Sequence, residues 1–203
     1  MIPKIRSFIS NLSISSISDY RLEKLQILID SISNQIKLQE PIRLNFICTH
    51  NSRRSQLAQI WAQTMASYFN WNIESYSGGV EVTEFNEFAI SALKRAGFYI
   101  EVNGTDNPHY FVHFSKSLPP LEMFSKIYDD PFNCTENFIA VMTCSDADTN
   151  CPVILGTKKR VSLTYMDPKN FDGTDQQDQK YDETCLKIAT ELYYVFSKLA
   201  SEQ

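Results

Sequence analysis

The chain has 203 residues, 43% of them apolar and 21% charged, which suffices for one folded domain and excludes a disordered segment. Nineteen Lys and Arg against 24 Asp and Glu leave a net charge of −5, without the basic footprint of a general nucleic-acid binder. No apolar run reaches the roughly 18–20 residues that cross a bilayer, and the opening MIPKIRSFISNLSISSISDY lacks the unbroken apolar core of a signal peptide, so a cytoplasmic protein is expected.

In chain order, Leu22, Leu25, Ile29, Ile32 and Ile36 recur at intervals of three and four, predicting a helix that Ser18 or Asp19 caps and that ends before Pro41. The stripe is barely two heptads long, so it suits a helix docked on its own domain better than a dimer seam; a monomer, or a weak dimer through this helix, is expected. Residues 1–40 are therefore assigned to a helical extension and 41–203 to the main domain.

After Pro41 the pattern becomes strand, loop, helix. Leu44–Ile47 predicts a buried strand, and Leu57, Ile60, Trp61, Thr64 and Met65 predict one face of a helix. A strand is expected over Ile73–Ser77, closed by Gly78-Gly79. A helix follows, with Phe88, Ala89, Ala92, Leu93 and Ala96 inward and Gly97 as its C-cap. Tyr110–Phe114 alternates like a strand, and Pro119-Pro120 is expected to start or interrupt a helical segment. Asn137–Thr143 predicts a central strand and Lys159–Thr164 another. Cys185, Ile188, Ala189, Leu192, Val195, Phe196 and Leu199 form the stripe of a last helix. Strands alternating with helices predict an α/β domain with a mostly parallel sheet covered on both faces.

Five widely spaced cysteines do not make a secreted disulfide framework, and no CxxC pair or histidine spacing supports zinc. Reduced thiols are expected, with no metal. The segment that carries chemistry is Cys48-Thr49-His50-Asn51-Ser52-Arg53-Arg54-Ser55, a C-x5-R-S loop between a buried strand and a helix. Backbone N–H groups of residues 49–54 and the helix N-terminus make an oxyanion cradle. Arg54 supplies a bidentate clamp for a tetrahedral anion. The same field favours the thiolate form of Cys48, the candidate nucleophile, and Ser55 is placed to donate to that sulfur. Asp167, before Pro168, is the candidate acid for a leaving group. Cys144 and Cys151, in CSDADTNCP after the central strand, have two readings. If they lie near Cys48, the three thiols pass a disulfide along, Cys144 attacking Cys48 and Cys151 attacking Cys144. Otherwise they are unrelated cysteines, or Asp146 and Asp148 form a cation-binding loop.

FICTHNSRRSQ resembles the active-site loop of the low-molecular-weight protein tyrosine phosphatases and thioredoxin-coupled arsenate reductases, which share one fold. CSDADTNCP resembles the arsenate-reductase branch, and Asp167-Pro168 falls where both branches place their acid-bearing loop. The resemblance runs from about Leu44 to the C-terminus. It implies a low-molecular-weight phosphatase-like fold and a Cys48, Cys144, Cys151 relay that reduces arsenate, recycled by a thioredoxin-like partner. The phosphatase branch implies instead a phosphocysteine at Cys48, with hydrolysis of phosphotyrosine or small aryl phosphates. No organic cofactor is implied by either. His50 stands where the family usually has Gly or an aliphatic residue, and Arg53 where it commonly has Cys. Between Tyr99 and Asn137 the chain is longer than the family, a segment whose aromatics Tyr110, Phe111 and Phe124 suit a pocket wall.

Overall fold

In the computed structural model, which describes residues 1–150 and 153–201, two helices precede the sheet: α1 (Pro3–Ser10) and α2 (Asp19–Lys37). Then come β1 (Ile42–Cys48), α3 (Arg54–Tyr68), β2 (Ile73–Gly79) and α4 (Glu87–Ala96). Three short strands come next, β3 (Tyr99–Asn103), β4 (His109–His113) and β5 (Leu121–Met123). The chain closes with β6 (Phe138–Met142), α5 (Ser145–Asn150), β7 (Thr157–Ser162) and α6 (Gln177–Ser201). The main sheet runs β2-β1-β6-β7, every neighbouring pair parallel. The strands β3-β4-β5 form a separate antiparallel sheet.

Side chains alternate across each strand, and the two faces bury different sets. Leu44, Phe46, Ile139, Val141 and Val161 join the large cluster under α2, α3, α4 and α6, while Ile47, Ala140 and Met142 face Cys48, Cys144 and Ala147 on the other side, where α5 lies. The helix stripe of the N-terminal segment points into the same core: Leu25, Leu28, Ile29 and Ile32 are fully buried, as are Ile5 and Ile9 of α1. The seven stripe residues of α6 are likewise buried, as their spacing predicts. Gly97 caps α4 with φ +113°, a conformation that costs glycine little.

Two local expectations change. Pro119-Pro120 leads into β5 rather than a helix, because residues 121–123 find ladder partners in β4 and proline ends no strand by preceding it. The polar residues after Cys144 wind into α5, pinned by Asp148: its carboxylate accepts from Ser162 Oγ at 2.6 Å and pairs with Arg160 at 2.9 Å. That bonding makes Asp148 an anchor to β7. Among the described residues no helix is long and apolar enough to cross a membrane.

Candidate active site

Parallel strands end together, so loops that leave β1, β2 and β6 converge at one edge of the sheet. Cys48 is the last residue of β1, paired with Gly79, and is 3% exposed. Arg54 opens α3, leaving Thr49–Arg53 as a tight turn over the helix N-terminus. Asn51 makes that turn possible. Its φ of +46° lies in the left-handed region, which asparagine tolerates.

The Asn51 amide is completely buried and each atom has a defined role. The Lys126 backbone N–H, which can only donate, bonds Oδ1 at 3.0 Å. Nδ2 is thereby turned toward Ser55 Oγ at 2.9 Å and Ser77 Oγ at 3.0 Å. Because Ser55 Oγ accepts from Asn51, its own proton is free for Cys48 Sγ, 3.1 Å away. Ser77 passes its proton to Gln59 Oε1 at 2.7 Å, and Gln59 Nε2 ends the chain on Ser75 O. The result is a sulfur that faces a hydroxyl donor in a buried polar network. β2 must approach closely for this. A Cβ on Gly79 would lie 2.7 Å from Asn51 N and 2.8 Å from Thr49 O, so only glycine fits.

Arg54 crosses to the loop after β7. Nη2 donates to Asp167 Oδ2 at 2.6 Å and Nη1 to Tyr165 O at 3.0 Å, while the buried Nε has no hydrogen-bond partner among the described residues. Asp167 Oδ1 accepts from the Lys169 N–H at 3.1 Å, which caps the short turn Pro168–Phe171. The neighbouring Arg53 goes elsewhere: Nε donates to Tyr181 OH at 2.8 Å, and Tyr181 OH donates to Asp172 Oδ1 at 2.8 Å. His50 stands at the rim, 45% exposed, 3.4 Å from Glu81. Ser52 Oγ donates to Glu84 O at 2.7 Å. The side chains of Asn51, Ser52 and Arg53 thus hold the turn, leaving its backbone N–H groups as the donors these residues could offer an anion. Beside the turn lies a cleft of about 500 Å³ lined by His50, Arg53, Glu84, Phe85, Tyr110 and Lys169.

Cys144 lies two residues beyond β6. Thr143 donates both its backbone N–H, at 2.7 Å, and its hydroxyl, at 2.9 Å, to Ile47 O, clamping this strand end to the residue before Cys48. Cys144 Sγ then lies 3.4 Å from Thr49 Oγ1 and accepts from the Ala147 N–H at 3.4 Å. Cys48 and Cys144 share one buried apolar cluster. Cys151 lies outside the described residues. Cys134 borders the same cluster, and burial pushes its thiol up to about 11. Cys185 sits on the opposite face under Trp61 Nε1, and burial pushes it up to about 12, so both behave as inert thiols near neutral pH. Among the described residues no three His, Cys, Asp or Glu side chains gather as a metal site.

The segment after β5 grips the turn from outside. Ser125 Oγ donates to His50 O at 2.9 Å and accepts from the Thr83 N–H at 2.9 Å, while Asn107 brackets Ser125 at both N–H and carbonyl. Sequence reasoning missed Ser77, Ser125 and Lys126, whose partners are distant in sequence. The Gly78-Gly79 pair was the only local signal of a close approach.

Lys126 is 1% exposed, its Nζ bonded to Phe124 O at 3.4 Å and set 4.5 and 5.3 Å from the ring centroids of Phe124 and Phe132. Burial pushes its ammonium down to about 8, with Asp130 and Glu122 pulling it back up. Below pH 8 the folded chain carries the full cost of a buried charge. Between about 8 and 10.5 the unfolded chain binds more protons, so stability rises with pH across that window. Lys126→Met is therefore expected to raise stability at pH 7 by up to about 3 kcal/mol and to flatten this rise. Thermal unfolding of both proteins from pH 7 to 10.5 checks it.

No protein-family model matches the chain. Among curated proteins it is 32% identical over 146 residues to the arsenate reductase of Staphylococcus aureus strain Newman, covering 72% of this chain and 91% of that protein. It is also 32% identical over 123 residues to arsenate reductase 2 of Staphylococcus haemolyticus, covering 61% of this chain and 76% of that one. Solved structures with the same fold include a low-molecular-weight phosphotyrosine phosphatase from Vibrio cholerae O395, with a TM-score of 0.53 at 14% identity over 80% of this chain and 98% of that one. An arsenate reductase in its oxidized state superposes with a TM-score of 0.52 at 15% identity, covering 77% and 98%. With a cysteine at the head of a C-x5-R-S turn, an arginine opening the next helix and a second buried thiol at an adjacent strand end, the chain belongs to the arsenate reductase family, on the fold of the low-molecular-weight phosphatases.

Proposed function

We propose that this chain reduces arsenate to arsenite through Cys48, Cys144 and Cys151 and is recycled by a thioredoxin-like dithiol. The observation that carries the reading is the placement of Cys144: buried beside Cys48 and 3.4 Å from the hydroxyl of the next residue, Thr49. Phosphate-ester hydrolysis makes no use of a thiol there. In this scheme arsenate sits on the N–H groups of residues 49–54, and Arg54, held by Tyr165 O and Asp167, presents its remaining N–H donors, Nε among them, to the oxyanion. Cys48 attacks arsenic, and one arsenate oxygen leaves as water, with Asp167 placed to pass the proton. Ser55 donates to the Cys48 sulfur as the attacking thiolate, and again when Cys48 is released as a thiolate in the last exchange. Cys144 thiolate then attacks Cys48 Sγ. The S–As electron pair goes to arsenic, which departs as arsenite, two electrons richer, and a Cys48–Cys144 disulfide remains. Cys151 exchanges into that bond, releasing Cys48 and leaving Cys144–Cys151 for the external dithiol. Such a cycle suits a reducing cytoplasm.

Residues 41–203 form the catalytic domain in this reading, with 1–40 as its extension. Leu25, Ile29 and Ile32 turn into the chain's own core, which supports a monomer. The test is arsenate-dependent NADPH consumption with thioredoxin and thioredoxin reductase. Wild type is expected to consume NADPH, and Cys144→Ser and Cys151→Ser are each expected to fall to background.

A second reading, hydrolysis of phosphotyrosine or small aryl phosphates, is favoured by one observation: Asp167 stands within 2.6 Å of Arg54, where an acid would meet a leaving oxygen. Aryl phosphate turnover that survives in both cysteine variants, with no NADPH loss in wild type, would replace the reductase by the phosphatase.

A further inference from the structure

The N-terminal extension reaches the loop that carries Asp167 through Arg21. Arg21, in the first turn of α2, is 12% exposed and forks onto Glu191 of α6, itself 2% exposed: Nε to Oε1 at 2.8 Å and Nη2 to Oε2 at 2.5 Å. The remaining arm, Nη1, donates to Thr164 O at 3.1 Å, and the guanidinium carbon lies 5.0 Å from the centre of the Tyr165 ring. The next carbonyl, Tyr165 O, accepts from Arg54 Nη1, and Asp167 accepts from Arg54 Nη2. Thr164–Asp167 therefore hangs between two arginines, Arg21 from outside and Arg54 from inside. Its other tether is the Tyr165 N–H, which donates to Thr143 O at 3.0 Å, beside Cys144. Burying an ion pair costs desolvation that apolar side chains would avoid, so geometry is what this one supplies. Packing of α2 needs no such pair, since Leu25, Leu28, Ile29 and Ile32 already bury it.

We propose that Arg21, aimed by Glu191, is a positioning residue of the anion site: it fixes Thr164–Asp167 and so sets the orientation of the Arg54 guanidinium. α2 is then a working part of the site. The proposal rests on Arg54 being the oxyanion clamp of the proposed arsenate reaction. Without Arg21 the loop keeps Asp167 but loses the carbonyl register that holds Nη1, and the fork meets an anion less well preorganised.

The experiment uses the full chain and inorganic phosphate as the probe. Arg21→Met alone strands the buried Glu191 carboxylate and risks unfolding, so the informative variant is Arg21→Met with Glu191→Leu, which removes both charges together. Three quantities are read: cooperative thermal unfolding, the alkylation rate of Cys48 by iodoacetamide, and the phosphate concentration that protects Cys48. The double variant is expected to unfold cooperatively and to alkylate at the wild-type rate without phosphate, because the Asn51–Ser55–Cys48 chain is separate. Its half-protecting phosphate concentration is expected to rise about tenfold. Arg21→Lys, which keeps the charge but not the three-armed reach, is expected to fall between the two. Unchanged phosphate protection in a folded double variant overturns the proposal alone. Absence of protection in wild type overturns the anion-site reading and the proposal with it.

Discussion

Cys48→Ser is expected to remove at least about four orders of magnitude from turnover with arsenate and with aryl phosphates alike. The serine hydroxyl fits the same space and keeps a hydrogen bond to Ser55, so the fold and the anion cradle remain. The loss is that of an ionisable, polarisable nucleophile at the one position where Ser55 donates, 3.1 Å away. For arsenate the loss is double. The relay requires Cys144 to attack the atom that carries arsenic, and an oxygen there cannot be attacked to leave arsenite behind. Steady-state kinetics on both substrates, with phosphate binding by calorimetry as the control for an intact cradle, checks the result. Residual turnover above about 1% would assign the first nucleophilic step to another thiol, and buried Cys144 would be the one to replace next.

Arg54→Lys carries the second largest effect, an expected fall of about 10²–10³ in kcat/KM. In the structure the Arg54 fork divides itself between Tyr165 O at 3.0 Å and Asp167 at 2.6 Å, with Nε unpartnered among the described residues. In the proposed reaction an anion entering the turn gains two parallel donors from a planar group already fixed by its neighbours. A lysine ammonium is a point charge on a longer leash and cannot hold the loop carbonyl and a tetrahedral oxyanion together. Asp167 is 25% exposed on its side chain, so water solvates it when its partner is lost, and the melting temperature is expected to move by only a few degrees. Kinetics with arsenate, phosphate protection of Cys48 and a thermal melt distinguish loss of the clamp from loss of the fold. A variant with near wild-type kcat/KM would move the clamp to another cation.

The elements that depend on periodicity were readable from the chain alone. The α2 and α6 stripes, the buried runs of β1 and β6, and the Gly97 cap arise from burial faces and backbone permissions that are local in sequence. The same holds for the C-x5-R-S turn, since a strand, a tight loop and a helix N-terminus are consecutive residues whose backbone donors must converge. The short strands β3 and β5 were not readable. Their ladder partners lie across loops, and residues such as Pro119-Pro120 signal a break without specifying whether a helix or a strand comes after it.

The sequence itself placed a cysteine in a C-x5-R-S turn between strand and helix, an arginine at the helix start and a candidate thiol relay in a parallel α/β domain. Tertiary structure alone decided how those groups are held. Asn51 meets Lys126 across 75 residues, Ser125 meets His50 across 75, and Arg21 meets Glu191 across 170. Each partner is an ordinary polar residue whose type carries no signal until the fold buries it, where an unmade hydrogen bond is costly and the partner must therefore be found. Arg53 makes the same point in reverse. By sequence it belongs to the cradle, yet it donates to buried Tyr181 of α6 and pairs with the partly exposed Asp172 carboxylate after the Pro168–Phe171 turn, partners that only the fold brings to it.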